Sequence, residues 1–313
     1  MVLRLHPWRL FLLVMLVSGG AVGILEWGRR SRDSSDAALF LRLPFENEGV
    51  QVFVDVQALR QAGLLDMLAG SRAAEETDYR SFVQDTRFDY REHLDTIFGA
   101  FLGERAVFVL RGRFDWTAIR RHAVARGAKC VNGYCSLPAS KPNRYLSFYS
   151  VFPSVLAVGI ANDPGSAWGA SAQRDPPPGF HFPPQPFWVA VPATVLNDAD
   201  ALPAGTRAFA SAVRQAQHVT LGIGSSGANL AVEMQATFAS AEDSGRTRDR
   251  LEEITRLLRN FIQREKQAPN PRDLSGVLTA GVFEQRENKV LGRWPVRREF
   301  LQALAGGNLD GGK

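Results

Sequence analysis

Residues 10–25 read LFLLVMLVSGGAVGIL, sixteen positions without a charge, with Arg4, His6 and Arg9 before them and Glu26, Arg29, Arg30 and Arg32 after. No other feature constrains the chain as much, because a run of this kind belongs in a bilayer or a secretion channel. Its length falls between a signal-peptide core and a full span, so two readings stand. One is an uncleaved anchor. The other is a signal removed after Gly20 or Gly23, where small residues offer the spacing that signal peptidase accepts. Trp8 and Trp27 favour the anchor, since the helix between them would be about 28 Å long, close to the roughly 30 Å of bilayer hydrocarbon, with an indole at each interface. The anchor residues are accordingly Trp8, Leu10, Leu25 and Trp27.

Arginines flank the run on both sides, so charge does not orient it, and the cysteines do. Cys130-Val-Asn-Gly-Tyr-Cys135 contains Asn132-Gly133, the strongest two-residue hairpin signal, which places Cys130 opposite Cys135 with Cα atoms about 4.5 Å apart. A disulfide fits that distance, and a lone, well-placed pair suits an oxidising compartment. The two features together predict a single-pass protein of a bacterial cytoplasmic membrane with its main domain outside, in the periplasm. The alternative is secretion after signal cleavage.

Six prolines in the twelve residues 175–186, DPPPGFHFPPQP, exclude a helix interior or a central strand and imply an extended connector. On its two sides the same element order recurs: strand, helix, hairpin, helix, hairpin. In the first part Val52, Val54 and Val56 alternate as a strand, helical spacing follows over 57–70 and 72–84, and strands at 96–102 and 105–111 flank Gly103-Glu104. Asp115 N-caps a helix ending at Gly127, and after the cysteine hairpin come strands at 145–149 and 155–160. In the second part a strand at 187–191 and a helix at 206–215 precede a hairpin, 218–223 with 229–238. Leu230, Val232, Met234, Ala236 and Phe238 point to one side of that hairpin and Glu233, Gln235 and Thr237 to the other, so one face of this sheet meets water. Ser240 to Asp243 is a capping box for a long helix with Leu251, Ile254, Leu258, Phe261 and Ile262 as its apolar stripe. A last hairpin, 277–285 with 289–295, precedes a short helix at 297–305.

The fold class predicted is α+β: two similar halves, each an antiparallel sheet with helices on one face, after an N-terminal transmembrane or signal helix. The divisions are 1–27 anchor or signal, 28–37 polar tether, 38–174 first half, 175–186 connector, 187–305 second half and 306–313 flexible tail.

Composition removes whole classes of function without choosing one. Of 313 residues 45% are hydrophobic and 22% charged, which excludes collagen and wholly disordered chains, and two cysteines exclude a four-cysteine metal site. Residues 244–299 hold thirteen Arg or Lys against eight Asp or Glu, but the signs alternate along a helix and a hairpin, which favours a solvated face and no nucleic acid. Gly222-Ile-Gly-Ser-Ser-Gly227 matches G-x-G-x-x-G, yet a strand and not a helix follows it, so a dinucleotide is excluded and a Gly-Ser turn expected. The five histidines are scattered, and no nucleophile elbow or P-loop is present. No cofactor, metal or catalytic residue is assigned. Aromatic clusters at Tyr145, Phe148, Tyr149 and Phe152, and at Phe180, Phe182, Phe187 and Trp188, read as core packing or as a partner groove between the halves.

The Val52–Val56 strand, the Arg111-Gly-Arg-Phe-Asp-Trp116 turn, the Leu156-Ala-Val-Gly159 strand, the Trp188–Val191 strand and the Leu278–Gly281 hairpin resemble a class of uncharacterised bacterial envelope proteins with an N-terminal hydrophobic segment and a duplicated α+β exported region. That resemblance implies a fold and a location and no agreed activity. The expected function is a membrane-tethered extracytoplasmic binding or scaffold protein, held to the membrane by its N-terminal helix and without catalysis of its own, whose partner is an envelope protein. Two alternatives stand beside it, a carrier of a lipid or other hydrophobic ligand and a hydrolase-type enzyme with a site assembled from remote segments.

Overall fold

The computed structural model describes residues 35–44, 49–65, 77–175, 182–192, 195, 204–226, 229–266, 268–297, 299–300 and 303. The anchor residues Trp8, Leu10, Leu25 and Trp27, and the tail at 306–313, lie outside them.

Twelve antiparallel strands form one sheet: β1 (Val50–Asp55), β2 (Leu94–Leu102), β3 (Arg105–Gly112), β4 (Lys129–Val131), β5 (Tyr134–Pro138), β6 (Tyr145–Phe152), β7 (Val155–Ala161), β8 (Phe187–Pro192), β9 (His218–Ser226), β10 (Asn229–Thr237), β11 (Val282–Arg286) and β12 (Lys289–Val296). Their order is β11-β12-β10-β9-β8-β1-β2-β3-β7-β6-β5-β4. The expectation of a separate sheet in each half is therefore corrected. The first strand after the connector pairs with the first strand of the chain, Phe53 opposite Trp188, and this single seam fuses the two edges into one sheet. Pairing β1 with β8 satisfies backbone groups that two separate sheets would leave as open edges.

Helices cover one face along its whole length. Apart from α1 (Asp36–Phe40), which lies on the opposite face, the helices of the β1–β7 part are α2 (Val56–Gln61), α3 (Thr77–Thr86), α4 (Tyr90–His93) and α5 (Trp116–Ala125). Over the β8–β12 part lie α6 (Ala204–Ala212), α7 (Ala241–Arg264) and α8 (Leu274–Leu278). Local chemistry sets their ends. Asp115 accepts from the Ala118 N–H at the start of α5, and Gly127 closes it at φ +89°. Ser240 caps α7 through the Asp243 N–H at 3.1 Å, as the capping box requires.

Three sequence expectations change here. The helix expected over 57–70 stops at Gln61, because Gly63 turns the chain at φ +67°. The strand expected from Val277 begins only at Val282, because Asp273 caps the short α8 ahead of it. The stripe on α7 includes Leu251, fully buried, but Phe261 is 63% exposed and its neighbour one turn back, Leu257, 59%.

Candidate functional site

Cross-strand pairing carries one row of residues across all twelve strands on the face away from α7: Val282, Arg293, Glu233, Gly222, Trp188, Phe53, Phe98, Val109, Ala157, Tyr149, Tyr134 and Val131. Because the row shares one face, its composition reports what covers that face. From Trp188 to Ala157 every side chain is buried and apolar. From Glu233 to Val282 the side chains are charged or exposed, Val282 by 67%.

The cover over the first part has three pieces. Ser35 accepts from the Ala38 N–H and so starts α1 at Asp36, within the segment read as tether, and α1 puts Leu39 and Phe40 fully out of water. A 3-10 turn at Ser166–Ala170 adds Ala167 and Ala170, held down where the Ala167 N–H donates to the Ser147 hydroxyl at 3.0 Å. The connector supplies Phe182, whose ring lies 5.0 Å from Phe53, 5.4 Å from Trp188 and 5.8 Å from Phe40 in edge-on contacts. The connector is therefore more than a spacer. Phe182 and Trp188 build the core, as the core-packing reading of the aromatics has it. Arg174 donates to the Arg42 carbonyl at 2.7 Å and Arg42 to the Ser171 carbonyl at 2.9 Å, which ties α1 to the segment leading into the connector.

Past Phe182 the connector runs onto the open part and forms one wall of a trough of about 610 Å³. Its floor is the outward side of β9, β10, β12 and β11, with Thr220, Gly222, Glu233, Gln235, Leu291, Arg293, Glu284 and Arg286. Gln185 donates from its amide to Glu233 Oε2 at 2.6 Å and fixes the wall to the floor. A Cβ on Gly222 would lie 3.0 Å from the Gln185 side chain, and one on Gly224 3.3 Å, so these glycines leave room for the connector to approach. They sit within β9 and are part neither of a dinucleotide fingerprint nor of the turn expected for them. Glu284 accepts from Arg286 at 2.9 and 3.1 Å, and those hydrogen bonds hold its carboxyl below the usual range. Among the described residues Arg293 has no carboxylate partner within ion-pair distance. The trough thus offers separated charges of both signs beside a backbone-rich floor, a surface suited to an extended polar segment.

The sequence anticipated the wet face of β10 from the alternation of Glu233, Gln235 and Thr237. It did not anticipate the wall, because nothing in a run of prolines says which sheet it lies on. The disulfide is present between Cys130 and Cys135, with an S–S distance of 2.04 Å and Cα atoms 4.1 Å apart, in the register expected. Among the described residues no three His, Cys, Asp or Glu side chains come together as a metal site would need, and no helix is long and apolar enough to cross a membrane.

No protein-family model matches the chain, and no curated protein matches it at a significant level. Among solved structures it is similar to crystal form I of TP0453, at 9% identity over 87% of this chain and 98% of that one, with a TM-score of 0.48. Crystal form III of TP0453 gives 10% identity, 86% and 96% coverage and a TM-score of 0.44.

Proposed function

We propose that this chain is a membrane-tethered, extracytoplasmic binding or scaffold protein of a bacterial envelope, and that it docks a partner protein on the open part of its sheet. The observation that carries the reading is the single row of residues that is apolar and buried from Trp188 to Ala157 but charged or exposed from Glu233 to Val282. A sheet face left uncovered beside a fully covered one is a natural docking surface, and its mixed charges favour a protein over a lipid. The carrier alternative requires an unfilled apolar cavity, whereas Leu39, Phe40, Leu43 and Phe182 fill the apolar space on this face. The paired cysteines support an oxidising compartment. A duplicated unit is supported by the strand order, which runs β1-β2-β3-β7-β6 outward on one side of the seam and β8-β9-β10-β12-β11 on the other.

A photo-crosslinking side chain placed at Gln235 or at Arg293, with one at Arg121, exposed on α5 on the helix-bearing side, as control, tests the surface in the protein's own cells. The reading requires the same protein adduct from both trough positions and none from Arg121. No adduct at either trough position, or the same adduct from Arg121, overturns it.

A further inference from the structure

A second cleft, of about 560 Å³, lies on the helix-bearing side of the sheet, away from the trough. Helix α7 brings Arg246 and Arg250 to one of its faces, a turn apart, with Thr247 beside them. Helix α6 ends at Ala212, and the turn after it carries Arg214 and Gln215 to the same cleft, together with Ser211. Among the described residues no carboxylate lines it. Arg246 is held by Glu242 and Asp243, both at 2.5 Å and both outside the cleft, whereas among the described residues Arg214 and Arg250 have no ion-pair partner.

Arg214 and Arg250 line this cleft without a carboxylate at ion-pair distance among the described residues, and a ligand that brings negative charge and several acceptors offsets their mutual repulsion. We propose that this cleft binds a phosphate-bearing anion. Arg214 and Arg250 offer planar forks of N–H donors that match phosphoryl oxygens, Arg246 stands pre-positioned by its own carboxylates, and Ser211, Thr247 and Gln215 add neutral donors. The cleft is much larger than one phosphate, so it has space for part of the molecule that carries it. That molecule is either a small soluble phosphate compound or a phospholipid whose headgroup reaches the cleft. The excess of basic residues noted in residues 244–299 acquires a use here, where the turn after α6 adds Arg214 to Arg246 and Arg250.

The test is phosphorus NMR line broadening with the full-length chain in nonionic micelles, first with inorganic phosphate and then with phosphatidic acid mixed into the micelles. Saturable broadening is expected in at least one of the two. It should weaken by roughly tenfold or more in the Arg214→Gln, Arg250→Gln double variant and stay unchanged in Arg264→Gln, an exposed arginine farther along α7. Broadening of inorganic phosphate alone identifies a soluble source, and broadening of phosphatidic acid identifies the headgroup. No saturable broadening with either, or broadening that the double variant leaves unchanged, overturns the proposal.

Discussion

Both parts of the sheet carry helices on one face, and they differ on the other. Over β1, β2, β3 and β7 that second face is closed by α1, the 3-10 turn and Phe182, so the sheet there is the middle layer of three, whereas Val131 on the edge strand β4 is 68% exposed. Over β9–β12 the same face, among the described residues, holds only the tail end of the connector, and the sheet there is one of two layers. The side chains follow the cover. Trp188 and Phe98 have no exposed surface, while Arg293 and Glu233, in the same register row, are polar and wet. The sheet is thus one object with two kinds of second face, and the boundary falls at the β8–β9 pair, where Trp188 faces Gly222.

The strongest way to break this comparison is to truncate the row on each side of that boundary. Trp188→Ala removes a fully buried indole from contact with Phe40, Phe53 and Phe182 and should cost about 3 to 5 kcal/mol. Arg293→Ala, three strands away in the same row, should change stability by no more than about 0.5 kcal/mol. Denaturant unfolding of the full chain, followed by circular dichroism, measures both. Equal costs would mean that the second face is closed over β12 as well.

Two glycines sharpen the contrast. A Cβ on Gly159 would stand 2.4 Å from the Ala167 nitrogen and 2.4 Å from the Ser166 hydroxyl, so the 3-10 turn itself must lift. Gly159→Ala should therefore cost about 3 kcal/mol, the upper end for overpacking, since backbone cannot rotate aside. Gly222→Ala meets only the Gln185 side chain and should stay within about 0.5 kcal/mol. Its visible effect should be a looser connector, read as faster proteolysis after Phe182.

Reduction of the disulfide acts on one edge only. Opening the six-residue loop of Cys130–Cys135 should lower stability by about 2 kcal/mol on the chain-entropy model. Hydrogen exchange should rise in β4 and β5 and not in β8–β12, because the bridge pins a terminal hairpin far from the seam. Faster exchange across the β1–β8 seam on reduction would show that the two parts are coupled more tightly than their separate covers imply.

What was legible in the sequence was local. Asn132-Gly133 fixed a hairpin register, Asp115 and Ser240 fixed two helix starts, and alternation along β10 fixed which of its sides meets water. Each of these signals lives within a few residues. The seam was not legible, because Val52–Val56 and 187–191 read equally well as edge strands of two sheets or neighbours in one. Nor was the cover: Ala38, Leu39 and Phe40 follow a run of charged residues that reads as tether, and only the apolar face they meet, assembled from strands between Phe53 and Trp188, makes them core. The trough combines both failures, since its floor was foreseen as a wet face and its wall required knowing where the prolines go.

The smallest effect probes where the cover ends at the other side. Tyr149 lies two strands from β3 in the common row, 8% exposed beside Trp168, whose ring is 5.2 Å away. Burial pushes its phenol up to about 12, against the pull of Arg42, and among the described residues its hydroxyl has no hydrogen-bond partner. The folded state therefore prefers the neutral phenol. This contribution to stability is fully present below the unfolded value of about 10 and is lost as pH rises through about 12. Tyr149→Phe should change stability by no more than about 0.5 kcal/mol at neutral pH, since no hydrogen bond is removed. Between about 10 and about 12 it should make the protein more stable than the parent, because a phenylalanine has no proton to lose. Tyr134, also raised by burial, stacks on Tyr149 at 6.1 Å and its charge raises the Tyr149 phenol further, so the same comparison in a Tyr134→Phe background isolates the Tyr149 contribution. Coincident curves would place Tyr149 in water and end the covered face one strand earlier, at Ala157.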